Sequence, residues 1–373
     1  MGTVYVLTPD LPGAVGGVRQ HYRLVDTLNG AGIAAAIAHR DEGFRCRWFD
    51  NTTRVVCARQ TTVTQDDLIV IPEELIGLVP SMAPGVPKIV FNQNAYTTFL
   101  WGLSAAETAA GYQHPDVWST AVVSEDNLAY LRKVFPALRV DRIRCAIDTG
   151  MYHPRDKKRR AVAYMPRKRK LESTEVLALL GVSRALEGWE VLPIDGVSEQ
   201  AAAEMIRASS IFLSFSHREG FGLPPAEAMA CGCLVVGFDG FAGKEFFGDH
   251  AVTVPDGDVQ AYFAAAADVL RSWDERAEHF ARMARIGSDF VANAYSLEAH
   301  RQSVVPVFLE AMAAPRSRSA RGRLEVPRFG PSRLIAAGQH VKHALHAASV
   351  RRSLADSTWH ISAAFSVLTR GFE

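Results

Sequence analysis

Short apolar segments that recur along the chain and end in polar loops are the feature that most constrains this sequence. Residues 67–71, 88–91 and 120–123 are such segments, and each is followed at once by charged or amide side chains. Short runs that are apolar throughout are typical of strands buried on both faces of a parallel sheet. Segments with helical spacing separate them. The sequence therefore predicts an α/β protein whose parallel sheets are covered by helices on both faces.

The length predicts two domains and an appendage. The chain has 373 residues, and domains of about 150 residues make two the expected number. We predict a first domain at 1–152 and a second at 153–295, which opens with a solvated, basic linker at 155–160. Residues 314–373 are left as a C-terminal extension.

The charge is balanced overall but not locally. A formal net charge of +1 gives no general reason to expect nucleic acid as a partner. Residues 315–373, however, carry ten Lys or Arg against three Asp or Glu. Two roles are predicted for this basic extension: docking on the first domain as extra helices, or contact with an anionic membrane surface. Nucleic acid is disfavoured because aromatic side chains are not interleaved with the basic ones.

The sequence shows neither an apolar run of about 20 residues, as a membrane span needs, nor a signal-peptide pattern. We therefore predict a cytoplasmic protein that lies at the inner face of the membrane if the basic extension binds there. The cysteines are odd in number and scattered, which favours buried thiols over disulfides or a zinc site. They are Cys46, Cys57, Cys145, Cys231 and Cys233.

Residues 214–237 carry the clearest chemical signal. An apolar strand ends in a glycine-containing loop, and Pro224 and Pro225 then begin a helix, where a missing N–H costs least. Loop N–H groups and the positive end of a helix suit an anion such as a diphosphate. Glu219 and Glu227, separated by seven residues, can accept hydrogen bonds from sugar hydroxyls. The stretch therefore predicts a site for a nucleotide sugar.

This stretch resembles the Glu-x7-Glu motif of the retaining glycosyltransferases with the GT-B fold, the family 4-like or group 1 glycosyltransferases. Further similar segments lie at 16–18, 121–125, 146–154 and 237–245, so the resemblance extends over about residues 3–313. It implies two Rossmann-like domains whose parallel sheets face a cleft. It also implies that a last helix, matched by residues 296–313, crosses back to the first domain.

The resemblance implies roles for single residues. Glu227 would bind the ribose hydroxyls and Glu219 the donor sugar, while Arg167, with Lys168 or Lys170, would neutralise the leaving diphosphate. The remaining donor-binding residues would be Gly16, Gly17, Gly220, Phe221, Gly222 and Leu223. Polar contacts with the acceptor or the sugar are expected from Asn92, Gln93, Asn94, His21 and His217.

The implied reaction is transfer, with retention, of a hexosyl or deoxyhexosyl group from a nucleoside diphosphate sugar to an acceptor hydroxyl. A glycan or lipid-linked acceptor in envelope polysaccharide or glycolipid synthesis is expected. We expect no cofactor and no metal, because Asp258 of the Asp256-Gly-Asp258 pattern is better explained as a helix N-cap. The alternatives are a catalytically silent protein that binds nucleotide sugars or glycans, and a phosphorylase or epimerase with the same fold.

Overall fold

Two parallel β-sheets with their helices make up the described part of the chain. The structure is a computed structural model that describes residues 2–314 and 320–324. Residues 2–99, 103–314 and 320–324 lie in one compact unit that contains both sheets. The predicted α/β class with parallel sheets is confirmed.

The first sheet is built from the N-terminal part of the chain. The strands there are β1 Val4–Leu7, β2 Ala35–His39, β3 Val55–Cys57, β4 Thr62–Thr64, β5 Leu68–Pro72, β6 Lys88–Asn92, β7 Val117–Val122 and β8 Val140–Arg142. All except β4 form one parallel sheet in the order β3-β2-β1-β5-β6-β7-β8. Strands β2, β5 and β6 are buried at every residue. Burial on both faces explains why their sequence shows no polar alternation.

Helices α1 Gly16–Gly30, α2 Ala105–Tyr112 and α3 Glu125–Val134 connect strands of the first sheet. Ser104 and Ser124 cap α2 and α3 with their side chains. Helix α1 begins at Gly16, and no side chain caps it. Gly16 and Gly17 thus lie in its first turn, and no side-chain oxygen accepts from its N-terminal N–H groups.

The second sheet follows from residue 159 onward. Its strands are β9 Arg159–Tyr164, β10 Glu190–Pro193, β11 Ser209–Phe215, β12 Leu234–Phe238 and β13 Val252–Thr253. They pair in parallel in the order β10-β9-β11-β12-β13. The accompanying helices are α4 Lys170–Val182, α5 Glu199–Ala208, α6 Leu223–Ala230, α7 Lys244–Phe247, α8 Val259–Arg271 and α9 Ala277–Ala294.

The basic stretch predicted as a solvated linker at 155–160 is in part structural, so that prediction is corrected. Strand β9 already begins at Arg159. The Lys158 ammonium donates to the carbonyl oxygens of Arg207 (3.1 Å) and Ser209 (2.8 Å) at the end of α5. These contacts hold Lys158 against the second sheet. The local sequence does not reveal them, because both acceptors lie about 50 residues further along the chain.

Helix α10 Leu297–Ala313 returns to the first sheet. His300 Nδ1 lies 2.5 Å from the carbonyl oxygen of Arg144, and Arg139 pairs with Glu310 at 2.6 Å. Both partners belong to the segment around β8, so the helix rests on the first sheet.

Part of the predicted C-terminal extension is described. Strand β14 Arg321–Arg323 pairs antiparallel with β4, and Leu324 is fully buried. These residues dock on the first sheet's side of the molecule as a short strand. The extra helices predicted for this extension lie outside the described residues.

Other sequence predictions can be checked directly. The five cysteines are free thiols, and four are buried while Cys57 is half-buried. Asp258 caps α8, because its side chain accepts a hydrogen bond from the backbone of Ala261 at 2.8 Å. The helix cap is confirmed, and the prediction of buried thiols is confirmed for four of the five cysteines. In residues 2–314 and 320–324, no helix is long and apolar enough to span a bilayer.

Candidate active site

The loops that follow β6 and β11 meet between the two sheets. Ligands bind beyond the carboxyl ends of parallel strands, and both loops lie at such ends. Gly220 lies so close to the other loop that a Cβ atom there would be 1.6 Å from the carbonyl oxygen of Gln93. The Asn94 amide donates to the carbonyl oxygen of Arg218 at 2.9 Å. The structure therefore brings predicted residues of both sheets into direct contact.

The predicted catalytic carboxylate is paired with a predicted lysine. The Lys168 ammonium donates to Glu219 Oε2 at 2.5 Å. Lys170 is the first residue of α4. It is exposed, and its side chain makes no hydrogen bond within the described residues. Arg167 donates to the carbonyl oxygen of Ala14, just before α1, at 3.2 Å. Of the two lysines left open by the sequence, Lys168 is the one that reaches Glu219.

The backbone around Glu219 is strained. Its N–H donates to the carbonyl oxygen of Gly240 at 2.9 Å. Arg218 (φ 45°) and Phe241 (φ 71°), which flank these two residues, are both left-handed although neither is glycine. A Cβ at Gly240 would lie 2.9 Å from Glu219 Cγ. Strain of this kind is concentrated at functional sites because the surrounding structure must enforce it.

Arg169 lies inside this part of the molecule, and sequence reasoning missed it. Its guanidinium contacts Asp256 Oδ1 at 2.5 Å and His217 Nδ1 at 2.6 Å, and it stacks on Phe238. Burial and Arg169 lower the pKa of His217, so its ring accepts this hydrogen bond as the neutral form. Nothing in the run Arg167-Lys168-Arg169-Lys170 marks the third residue as buried. His217 thus faces Arg169, not the first sheet.

The starts of α1 and α6 lie side by side. A Cβ at Gly16 would be 3.0 Å from Leu223 Cδ1. Like α1, helix α6 has no side-chain cap; Gly222 precedes it with φ 97°. Within the described residues, the N–H groups of Phe221 and Gly222 donate to no backbone acceptor. Unpaired N–H groups at two helix starts make this point suited to an anion.

Glu227 is not open to solvent. It is 4% exposed, and its Oε1 pairs with the guanidinium of Arg19 from α1, which also pairs with Glu199 at the start of α5. Burial raises the pKa of Glu227, and Arg19 opposes that rise. Sequence reasoning missed Arg19 and Glu199, because a charged residue on an amphipathic helix normally indicates its solvated face.

Hydrogen bonds link the loop after β6 to helix α1 on the first sheet's side of the interface. The Gln93 amide donates to the carbonyl oxygen of Gly17 at 3.1 Å and lies 2.8 Å from His21 Nε2. Burial lowers the pKa of His21 to about 3, so this ring is neutral. Gln93 therefore joins the loop after β6 to the first turn of α1.

Asn92 does not face the cleft, contrary to the prediction for this residue. It is fully buried, and its amide donates to Thr98 Oγ1 at 2.9 Å and to the Tyr112 hydroxyl at 2.8 Å. Because side chains alternate in direction along a strand and its end, Asn92 points into the core while Gln93 points out.

Glu73, at the end of β5, supports the same loop. Its Oε2 accepts a hydrogen bond from the Gln93 N–H at 3.1 Å. Burial and the neighbouring Glu74 raise the pKa of Glu73 to about 8. The sequence shows only two acids after a strand, and it does not distinguish this buried role from a ligand contact.

Glu245 joins the two sheets structurally. Its carboxylate accepts from Arg142 of β8 at 2.9 Å, from the Tyr295 hydroxyl at 2.8 Å and from the Glu125 N–H at 2.8 Å. With three protein donors, this carboxylate is engaged in holding the first and second sheets together.

A cavity of about 600 Å³ opens beside these groups. One face of α1 lines it from Arg19 to Gly30, together with Glu199 and the start of α10. Glu219 does not line it. The cavity therefore borders Arg19 and Glu199 and not the Lys168–Glu219 pair.

Comparison with known proteins agrees with this architecture. Residues 190–286 match the family model of the group 1 glycosyl transferases. An alpha-1,6-glucosyltransferase of Actinobacillus pleuropneumoniae serotype 7 (strain AP76) is 27% identical over 228 residues, which are 58% of this chain and 67% of the relative.

Two solved structures are similar over most of their length. Sucrose-phosphate synthase of Thermosynechococcus elongatus has a TM-score of 0.62 at 16% identity, covering 84% of this chain and 100% of that one. Anabaena Alr3699/HepE in complex with UDP has a TM-score of 0.61 at 12% identity, covering 83% and 100%. At such identities the likeness shows the fold. Residues 190–286 are thus similar to the group 1 glycosyl transferases, and the chain has the GT-B fold.

Proposed function

We propose that the protein is a retaining glycosyltransferase that moves a hexosyl or deoxyhexosyl group from a nucleoside diphosphate sugar to an acceptor hydroxyl. The observation that carries this proposal is the Lys168–Glu219 pair, at 2.5 Å, beside the uncapped starts of α1 and α6. A cation and unpaired N–H groups suit the diphosphate, and carboxylates suit sugar hydroxyls. The UDP bound by the similarly folded Anabaena protein supports this class of donor.

Each group has a proposed role in donor binding. Glu227 accepts hydrogen bonds from the ribose hydroxyls, and Glu219 contacts the transferred sugar. The N–H groups of Phe221 and Gly222, with the glycine start of α1, surround the diphosphate. Arg167, which has no carboxylate partner within residues 2–314, and Lys168 supply the positive charge.

Positive charge at this point accelerates the reaction. As the glycosidic bond breaks, negative charge grows on the diphosphate while the sugar becomes oxocarbenium-like. Fixed cations and N–H dipoles stabilise that charge where it develops. The acceptor attacks from the face that the diphosphate leaves, and its proton passes to the departing phosphate oxygen. No base from the protein is then required, and the configuration is retained.

We propose that the transfer needs neither a metal nor a cofactor. Asp256 and Asp258, the Asp-x-Asp pattern, are engaged separately: the first pairs with Arg169, and the second caps α8. Arg167 and Lys168 take the place that a divalent cation fills in metal-dependent transfer.

The acceptor is proposed to bind on the side of the first sheet, where Gln93 and Asn94 reach the interface. A glycan or lipid-linked acceptor of the cell envelope is consistent with the basic composition of residues 315–373. Flotation with anionic liposomes, with and without that segment, tests the membrane contact. Equal recovery in the unbound fraction for both forms would exclude it.

Turnover tests the assignment of the site. Thermal shifts with a panel of nucleoside diphosphates and their sugars identify the donor, because a ligand that binds only the folded state raises the melting temperature. Release of nucleoside diphosphate is then measured for Glu219→Ala, which we expect to be about 100-fold slower or worse. Lys168→Met is expected to lose activity, whereas Lys170→Met, its matched control, keeps it.

Several outcomes would contradict the proposal. Full activity of Glu219→Ala refutes the site, and loss of activity in EDTA that manganese restores refutes metal independence. Inversion at the anomeric carbon, measured by NMR, refutes retention. Binding without turnover indicates a silent binding protein, consumption of inorganic phosphate indicates a phosphorylase, and conversion of the donor without acceptor indicates an epimerase.

A further inference from the structure

We propose that Arg19 is a positioning residue for donor binding: it reaches from the first sheet's α1 to hold Glu227 so that one carboxylate oxygen faces the ribose. This inference rests on the proposed function, because it concerns the carboxylate to which ribose binding is assigned there. It adds a residue from the opposite sheet to the donor site.

The geometry of the cluster carries the inference. Arg19 Nη2 pairs with Glu227 Oε1, and Nη1 pairs with Glu199 Oε1. All three side chains are at least nine-tenths buried, with exposures of 7%, 6% and 6%. Within the described residues, Oε2 of Glu227 makes no hydrogen bond. One oxygen is therefore fixed by the arginine, and the other is available to a hydroxyl.

Glu199 fixes the orientation of the Arg19 guanidinium. It is the first residue of α5, and it occupies one end of the guanidinium while Glu227 occupies the other. The Tyr152 hydroxyl lies 3.5 Å from Nη1. A planar guanidinium held at two points has a fixed orientation, which a single contact would not give.

Removing Arg19 would leave the carboxylates of Glu199 and Glu227 close together, with little solvent to screen their charges. Burial already raises the pKa of Glu227, and the groups that face it are Arg19 and Arg23 from α1, Glu199 from α5, Tyr152 and Cys231. Without Arg19 the carboxylates repel, and one of them takes up a proton. A protonated or displaced Glu227 is a poorer acceptor for ribose hydroxyls.

The chain contains a matched control. Arg142 of β8 also crosses between the sheets, pairing with Glu245 at 2.9 Å and with Glu125 at 3.1 Å. It does not contact Glu227. Arg142→Met therefore removes a comparable inter-sheet ion pair and leaves the proposed ribose contact intact.

The experiment compares two probes by calorimetric titration of the full chain: UDP, which carries a ribose, and inorganic pyrophosphate, which does not. Arg19→Met is expected to bind UDP about 10- to 100-fold more weakly than the natural chain. Its affinity for pyrophosphate is expected to be unchanged. Arg19→Lys, which keeps the cation but not the two-point contact of the guanidinium, should recover only part of the UDP affinity. Arg142→Met should bind both probes normally.

The outcomes separate this inference from the proposed function. If the natural chain binds neither UDP nor any other nucleoside diphosphate, the donor site itself is refuted, and this inference with it. If the natural chain binds UDP, two results refute the positioning role. One is that Arg19→Met binds UDP equally well, and the other is that its affinity for pyrophosphate falls as much as its affinity for UDP. Should Arg19→Met fail to fold, the double variant Arg19→Met with Glu199→Gln, which removes the repulsion, takes its place in the titration.

Discussion

Replacing Gly220 with alanine places one carbon atom where the two sheets touch. The new Cβ would lie 1.6 Å from the carbonyl oxygen of Gln93 and 3.0 Å from Asn94 Cα. Real Cβ contacts are essentially never shorter than 3.0 Å, and the atoms met are backbone, so no rotamer change relieves the clash. Gly220 is not among the residues with positive φ, so alanine can adopt its backbone conformation. The loops must therefore move apart.

The required movement sets the expected magnitude. The distance between the new Cβ and the Gln93 carbonyl oxygen must grow from 1.6 Å to at least 3.0 Å. A displacement of about 1 Å in a catalytic group lowers the rate about 100-fold. That factor equals about 2.7 kcal/mol in the activation barrier. The free energy of unfolding should fall by only about 1 kcal/mol, because the contact lies between loops that can shift.

The assay is the rate of nucleoside diphosphate release from the donor, measured alongside urea unfolding. Gly181→Ala is the matched control, since a Cβ there meets no atom within 4 Å. Gly181 lies inside α4, so alanine should stabilise the protein by about 0.5–1 kcal/mol without a change in rate. If Gly220→Ala keeps kcat/KM within about twofold of the natural chain, the catalytic groups do not depend on this contact, and the reasoning is refuted.

Two further predictions concern stability. Burial and Glu74 raise the pKa of Glu73 from 4.5 to about 8, so the folded protein keeps a proton that the unfolded chain has lost, and stability falls as the pH rises between those values. Glu73→Gln should flatten the decline of Tm over that range, and an unchanged slope would contradict the assignment. Gly237→Ala would place a Cβ 2.3 Å from the Tyr262 hydroxyl oxygen and 2.4 Å from the carbonyl oxygen of Ser214, at φ 130°. Urea unfolding should show a loss of about 3 kcal/mol, and a loss below about 1 kcal/mol would refute that packing argument.

Much of the fold could be predicted from local patterns. Helices α5 and α8 follow Ser198 and Asp258, which supply N-caps that the sequence shows, and their apolar spacing is regular. Strands β3 and β8 were not predicted. Each contains three residues, which is too few for a periodic pattern to show.

The sequence by itself determined the order of strands and helices and the run from Glu219 to Glu227, since both depend on neighbours along the chain. Only the tertiary structure decided that Lys168 reaches Glu219 and that Arg19 is buried between two carboxylates. These outcomes depend on how two sheets dock. Such contacts join residues far apart in sequence, and no local periodicity encodes the partner that a charged side chain meets across an interface.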